Sequence, residues 1–336
     1  MRIVPTLIAG LLAGTAHADV FLPQGDVGSV LHLNDALEVV GRVDGVENPH
    51  GLAVAPGRGL LVIGSLAQTA REEAAEMDKP ADMDADAHDA HHGGASGGTG
   101  SVSIVTLARI ADHEPMARVE VPGMVHHVEV DATERYAVVT HPGLEGVSII
   151  DLDDLSVRGP IRTGPEPEYA VYDAKAGVFL VSNAGNGTIS RLDAARGIVL
   201  SNVPLDGGPK HMDLAPDGTV AAALADEDAV ALVSGDGIEA SIDVGGTLHG
   251  VQIDAQAVTV AATERDMVVR VDRETGERLE RSPGTEPYHV ALGAPGLLVS
   301  SSASAELWRL DPMTLETTAR VETDGVVHQI RITKPD

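Results

Sequence analysis

A repeat of about forty residues runs through this 336-residue chain, and a period of that size restricts the fold to a few repeat architectures. Seven segments share one pattern: a turn-rich lead-in, one aligned residue, then a short run alternating apolar and polar. The aligned residues are His50, His127, Tyr169, His211, His249, His289 and His328. From His127 onward the steps are 42, 42, 38, 40 and 39 residues, close to the roughly 40–45 residues of a four-stranded propeller blade. The first step, from 50 to 127, is 77 residues and must carry an insertion. Three more strands fit each unit, for example 178–182, 187–192 and 198–204 after Tyr169, with Gly, Asn and Asp clusters at the turns. The chain stops just after the strand begun at His328, while 19–23, 29–33 and 37–43 supply three strands with no inner strand before them. The expectation is an all-β, seven-bladed β-propeller whose N-terminal strands complete the last blade, because closure removes exposed sheet edges.

Composition narrows the core and the partners. Aromatic residues make up 2% of the chain, with one Trp and two Phe, so Val, Ile, Leu and Ala must build the core. A formal net charge of −28 argues against nucleic acid or an anionic membrane surface as partner, since both demand a basic patch. There is no cysteine, which excludes thiolate metal ligands, cysteine catalysis and lipid anchoring through that residue. Residues 1–18 read as a signal peptide: Arg2 is the charged start, 4–13 the short apolar run, and Ala16-His17-Ala18 the cleavage site. That run is too short to span a bilayer. The expected mature protein is a periplasmic monomer with no membrane insertion, a single propeller domain over 19–336 and an insertion at about 68–99.

The histidines carry the chemistry. The first strand of each propeller blade lines the central channel, so equivalent residues on those strands face one another around the axis. A lone inner-strand histidine is usually a structural hydrogen bonder. Six at one register, in a chain with 14 histidines among 336 residues, are not a coincidence of composition. Neutral imidazole is the common protein ligand for borderline metals, and a tetrahedral ion takes three or four ligands. The candidate metal ligands are therefore His50, His127, His211, His249, His289 and His328, with one site or two among them. His126 beside the ring and His141 at the end of a second strand are further candidates. Zn(II) is the expected ion, with Cu(II) or Ni(II) as alternatives; soft Cu(I) is disfavoured without cysteine or a Met-x-x-Met cluster. Protons should compete with the ion near the ordinary imidazole pKa of about 6.5.

The insertion has its own signal. Residues 77–92 are rich in Asp, Ala and His and lead into a Gly/Ser tail, a composition that buries too little apolar surface to order itself. His88, His91 and His92, with Asp86 and Asp89, form a second candidate cation site on that loop. A second-to-third-strand loop lies on the propeller face where the first strands begin. Loop and ring should therefore share one face, as a relay would need.

Two resemblances follow. Gly164-x-x-Pro167 and the run Val181-Ser182-Asn183-Ala184-Gly185-Asn186-Gly187-Thr188-Ile189-Ser190 resemble the bacterial seven-bladed propeller repeats of the YVTN type. Those repeats host unrelated functions and speak to fold only. An exported, cysteine-free propeller with histidine in most inner strands and a His/Asp-rich loop is similar to the periplasmic zinc chaperones of the AztD type. That resemblance implies a protein that binds Zn(II) and delivers it to the solute-binding protein of a zinc ABC importer, and not an enzyme. The alternatives are a metal-dependent hydrolase or lactonase and a copper-binding propeller. No Gly-x-Ser-x-Gly nucleophile elbow is read between a strand and a helix, and Glu166, Glu168 and Glu286 near the ring read as solvated acids. Nitrous oxide reductases also place copper among propeller histidines, but with a further cysteine-bearing domain that this chain has no room for.

Overall fold

The computed structural model describes residues 18–70, 100–224, 227–235 and 237–333. The signal-peptide stretch 1–17 and loop residues Asp86, His88, Asp89, His91 and His92 lie outside the described residues.

Seven antiparallel sheets are arranged as the blades of a β-propeller. Blade one contains Pro49–Ala55, Leu60–Ser65, Ser101–Arg109 and Pro115–Pro122, plus the two-residue strand Thr69–Ala70. Blades two to six each take four consecutive strands, with inner strands Val128–Val130, Pro167–Asp173, Pro209–Leu214, Leu248–Ile253 and Pro287–Gly293. Blade seven joins the two ends of the chain. Its inner strand, Arg331–Ile332, pairs with Val20–Gln24, which leads outward to Ser29–Leu33 and Val39–Asp44. Phe21 stands opposite Arg331, Val20 opposite Ile332, and a bridge links Gln24 to Val327. Closure by the N-terminal strands is thus realised as the repeat count requires.

Burial follows position in the blade. Second strands such as Val178–Asn183 and Ala257–Ala262 are buried along their whole length, because neighbouring blades cover both faces. Fourth strands such as Ile198–Pro204 are largely exposed. The cores lie between blades: Ala221, Ala223 and Val230 of blade four meet Val251, Val258, Val260 and Val269 of blade five. Such layers need small β-branched residues that interdigitate across two sheets, which is why so few aromatics suffice. Among the described residues, no helix is long and apolar enough to cross a membrane.

Candidate metal centre

His50, His211, His249 and His289 sit at the start of inner strands where a local irregularity aims them, while His127 and His328 precede theirs. The first-to-second-strand ladders of blades one, three, four, five and six shift register at this level. The shifts fall at Pro49/Leu52, Pro167/Ala170, Pro209/His211, Leu248/Val251 and Pro287/Val290. Bulges re-aim side chains and occur beside functional sites. Crowding at the hub also selects glycine. A Cβ on Gly51 would stand 2.7 Å from the Cα of His127, and one on Gly250 2.7 Å from the Cα of His289. Having no side chain after His50 and His249 lets the next blade approach.

Three ring members converge. One ligand nitrogen from each of His211, His249 and His289 lies within 4.8 Å of the other two. The ring centroids of His211 and His249 are 3.9 Å apart, those of His211 and His289 5.0 Å at 82°, and those of His249 and His289 4.9 Å at 90°. Buried Nδ1 of His211 and Nε2 of His289 make no hydrogen bond. An unsatisfied buried polar atom costs about 1–3 kcal/mol, and a cation would turn that cost into coordination. His249 is fixed by stacking on Tyr288, centroids 3.4 Å apart at 17°. Burial pushes His211, His249 and His289 well below the ordinary imidazole value, and repulsion from His289 on His211, from His211 on His249 and from His328 on His289 adds to it. All three are therefore neutral at neutral pH, the state that ligates metal.

The remaining candidates are held differently. His50 Nδ1 lies 2.8 Å from the carbonyl of His126, and His126 Nδ1 lies 2.9 Å from that of Glu168. A ring nitrogen held against a backbone carbonyl in this way is the pattern of metal-binding histidines. His50 neighbours His126 and His328, with centroids 4.7 and 5.0 Å away. His127 is surrounded by donors: the Ala170 amide faces Nδ1 at 3.2 Å, while Gln329 Nε2 and Arg331 Nη2 face Nε2 at 2.9 and 3.2 Å. Tyr169, the one departure from histidine, stacks on His127 at 3.5 Å. His141 is not brought to the channel group: Nδ1 contacts the Met124 carbonyl and Nε2 Ser148 Oγ, both at 2.8 Å. Burial lowers its pKa to about 4.

Sequence reading missed a charged layer one step along the same strands. Glu129 and Asp213 stand two residues after His127 and His211, and Arg331 three after His328. Arg331 Nη2 donates to Glu129 Oε2 at 2.6 Å, and burial pushes the Asp213 carboxyl up to about 6. The period-two alternation of a strand is the signal that points to the first two. A hollow of about 170 Å³ is lined by five of the ring histidines, His126, Tyr169 and Gln329.

No family model matches the chain, and no curated protein matches it. Solved structures do. A periplasmic gluconolactonase from Pseudomonas aeruginosa is 17% identical with a TM-score of 0.69, over 95% of this chain and 100% of that one. A candidate 6-phosphogluconolactonase from Bacteroides uniformis is 12% identical with a TM-score of 0.70, over 95% and 100%. A Lactobacillus plantarum protein is 12% identical with a TM-score of 0.73, over 95% and 100%. At these identities the likeness concerns the fold. It nevertheless corrects the expectation of a protein that is not an enzyme, because two of these neighbours bear the names of lactonases. The missing serine elbow was a weak ground for that expectation, since metal-activated water needs no nucleophilic side chain. What the comparisons and the geometry establish together is a seven-bladed β-propeller of the shape shared with lactonase-named structures, with a histidine triad at its hub.

Proposed function

We propose that this chain binds Zn(II) at His211, His249 and His289 and carries it through the periplasm to the zinc solute-binding protein of an ABC importer. The observation behind the reading is the triad itself: three neutral imidazoles within coordination reach, His211 and His289 buried with an unsatisfied nitrogen each and His249 half-buried. Three imidazoles with an open fourth position suit Zn(II) better than Mg(II) or Ca(II), which prefer oxygen. The open position is where a partner's ligand would enter during handover. The histidine-lined hollow has no room for a small-molecule ligand, which favours an ion as the occupant. His88, His91 and His92, with Asp86 and Asp89, act in this reading as an acceptor, and Cu(II) or Ni(II) would compete for the triad.

A second reading is favoured by the lactonase-named neighbours: the same zinc, with water in its fourth position, would hydrolyse a small lactone. One experiment separates the two. The purified mature protein is assayed for bound metal, for zinc transfer to a periplasmic zinc-binding protein, and for turnover of gluconolactone. The carrier reading expects one tightly held zinc and its direct transfer. It fails if the His211→Ala/His249→Ala variant keeps full stoichiometry and affinity. Zinc-dependent turnover abolished by that variant would establish the hydrolase instead.

A further inference from the structure

The histidine ring is not uniform, and Arg331 divides it. From the inner strand of blade seven its side chain reaches across two blades: Nε donates to the Leu52 carbonyl at 2.7 Å, and Nη2 to the Val128 carbonyl at 3.1 Å and Glu129 Oε2 at 2.6 Å. The same Nη2 stands 3.2 Å from His127 Nε2, which also faces Gln329 Nε2 at 2.9 Å. Gln329 cannot be turned round, because its Oε1 accepts the Leu52 amide at 2.6 Å. A neutral imidazole has one lone pair, and three donors compete for that of His127. His127 therefore has no lone pair to give a cation. The triad lies on other blades, and among the described residues no guanidinium hydrogen-bonds a ring nitrogen of His211, His249 or His289.

We propose that Arg331 is the stop of the channel: a fixed positive charge beside His127 that bars cations from passing below the histidine ring. The ion then enters and leaves the triad by one face only, the face where the inner strands begin. Guanidinium suits the task because it stays charged at every accessible pH and its fork holds three acceptors at once. Glu129 neutralises part of this charge locally, so that a buried cation persists here. The inference rests on the triad being a metal site.

The test uses full-length mature protein in which His88, His91 and His92 are replaced by Ser, so that loop binding does not add to the count. Zinc stoichiometry and release to a chelator are measured for this parent, Arg331→Lys, Arg331→Met and Glu129→Gln/Arg331→Met. The last variant removes the carboxylate together with its partner and keeps the experiment alive if the single change destabilises the fold. The parent and Arg331→Lys should hold one zinc. Both Met-containing variants should still hold one zinc but release it to the chelator at least tenfold faster than the parent, because a second way out is open. One zinc with parental affinity and release in both Met variants overturns the proposal. A parent without zinc defeats the metal reading itself, an outcome distinguishable from the first.

Discussion

His211 and His249 are 38 residues apart in the chain, yet their imidazole centroids lie 3.9 Å apart in neighbouring blades. That relationship is the blade repeat translated into coordination geometry: one step of sequence period becomes one step around the hub. It also implies that anything altering the spacing of adjacent inner strands alters the metal centre.

Gly250 sets such a spacing. Its missing side chain faces the backbone of His289, where a Cβ would come within 2.7 Å of the Cα. Backbone cannot swing aside as a long side chain does. Gly250→Ala should push blades five and six apart and weaken zinc binding by tenfold or more, read by competition with a chelator, at a stability cost of about 1–3 kcal/mol. Unchanged affinity would show that the triad tolerates displacement of a whole strand.

The pH response should differ from that of free imidazole. Three unshifted histidines would lose about fiftyfold in zinc affinity between pH 7.5 and 6.0 through proton competition. Burial holds these three well below that range, so the loss should be less than threefold. Stability moves with the opposite partner. Because the folded pKa lies below the unfolded value of about 6.5, the unfolded chain takes up protons first as pH falls. The contribution is fully present above pH 6.5 and shrinks below it, by up to about 1.4 kcal/mol per pH unit for each such histidine. Denaturant titrations of the metal-free protein at pH 7.5 and 5.5 measure it; equal midpoints would contradict the burial argument.

Ring closure depends on the first strands. Val20, Leu22, Leu31 and Leu33 share a core with Leu298, Leu307, Val327 and Ile330 at the other end of the chain. Deleting 19–43 exposes that core and strips the last inner strand of its partner. Aggregation or loss of cooperative unfolding is expected, by calorimetry. A soluble, zinc-binding deletion variant would overturn this account of closure.

The acidic insertion should govern transfer more than storage. A segment whose composition buries too little apolar surface to order itself pays about 1–2 kcal/mol per residue fixed on binding, a cost the triad on its strands does not carry. Replacing 72–96 by a short Gly/Ser link should leave tight zinc affinity within twofold and slow uptake or handover in stopped-flow competition. Equal transfer rates would remove the loop from the mechanism, and loss of tight binding would place it among the ligands.

The sequence by itself determined the architecture. A forty-residue period with turn chemistry at each joint admits few closed solutions, and unmatched strands at both ends admit one closure, seen where Phe21 pairs with Arg331. It also brought histidines to the hub, because an inner strand repeated seven times places equivalent residues on one circle. Only the tertiary structure decided which of them face one another with free nitrogens. His141 is as near to the ring in sequence logic as His126, yet Met124 and Ser148 occupy both its nitrogens. His127 shares the register of His211, yet Gln329 and Arg331, some two hundred residues away, claim its lone pair. A register is a property of one strand and can be read along the chain. A hydrogen-bond partner is a property of whichever strands closure brings together, and no local pattern encodes it.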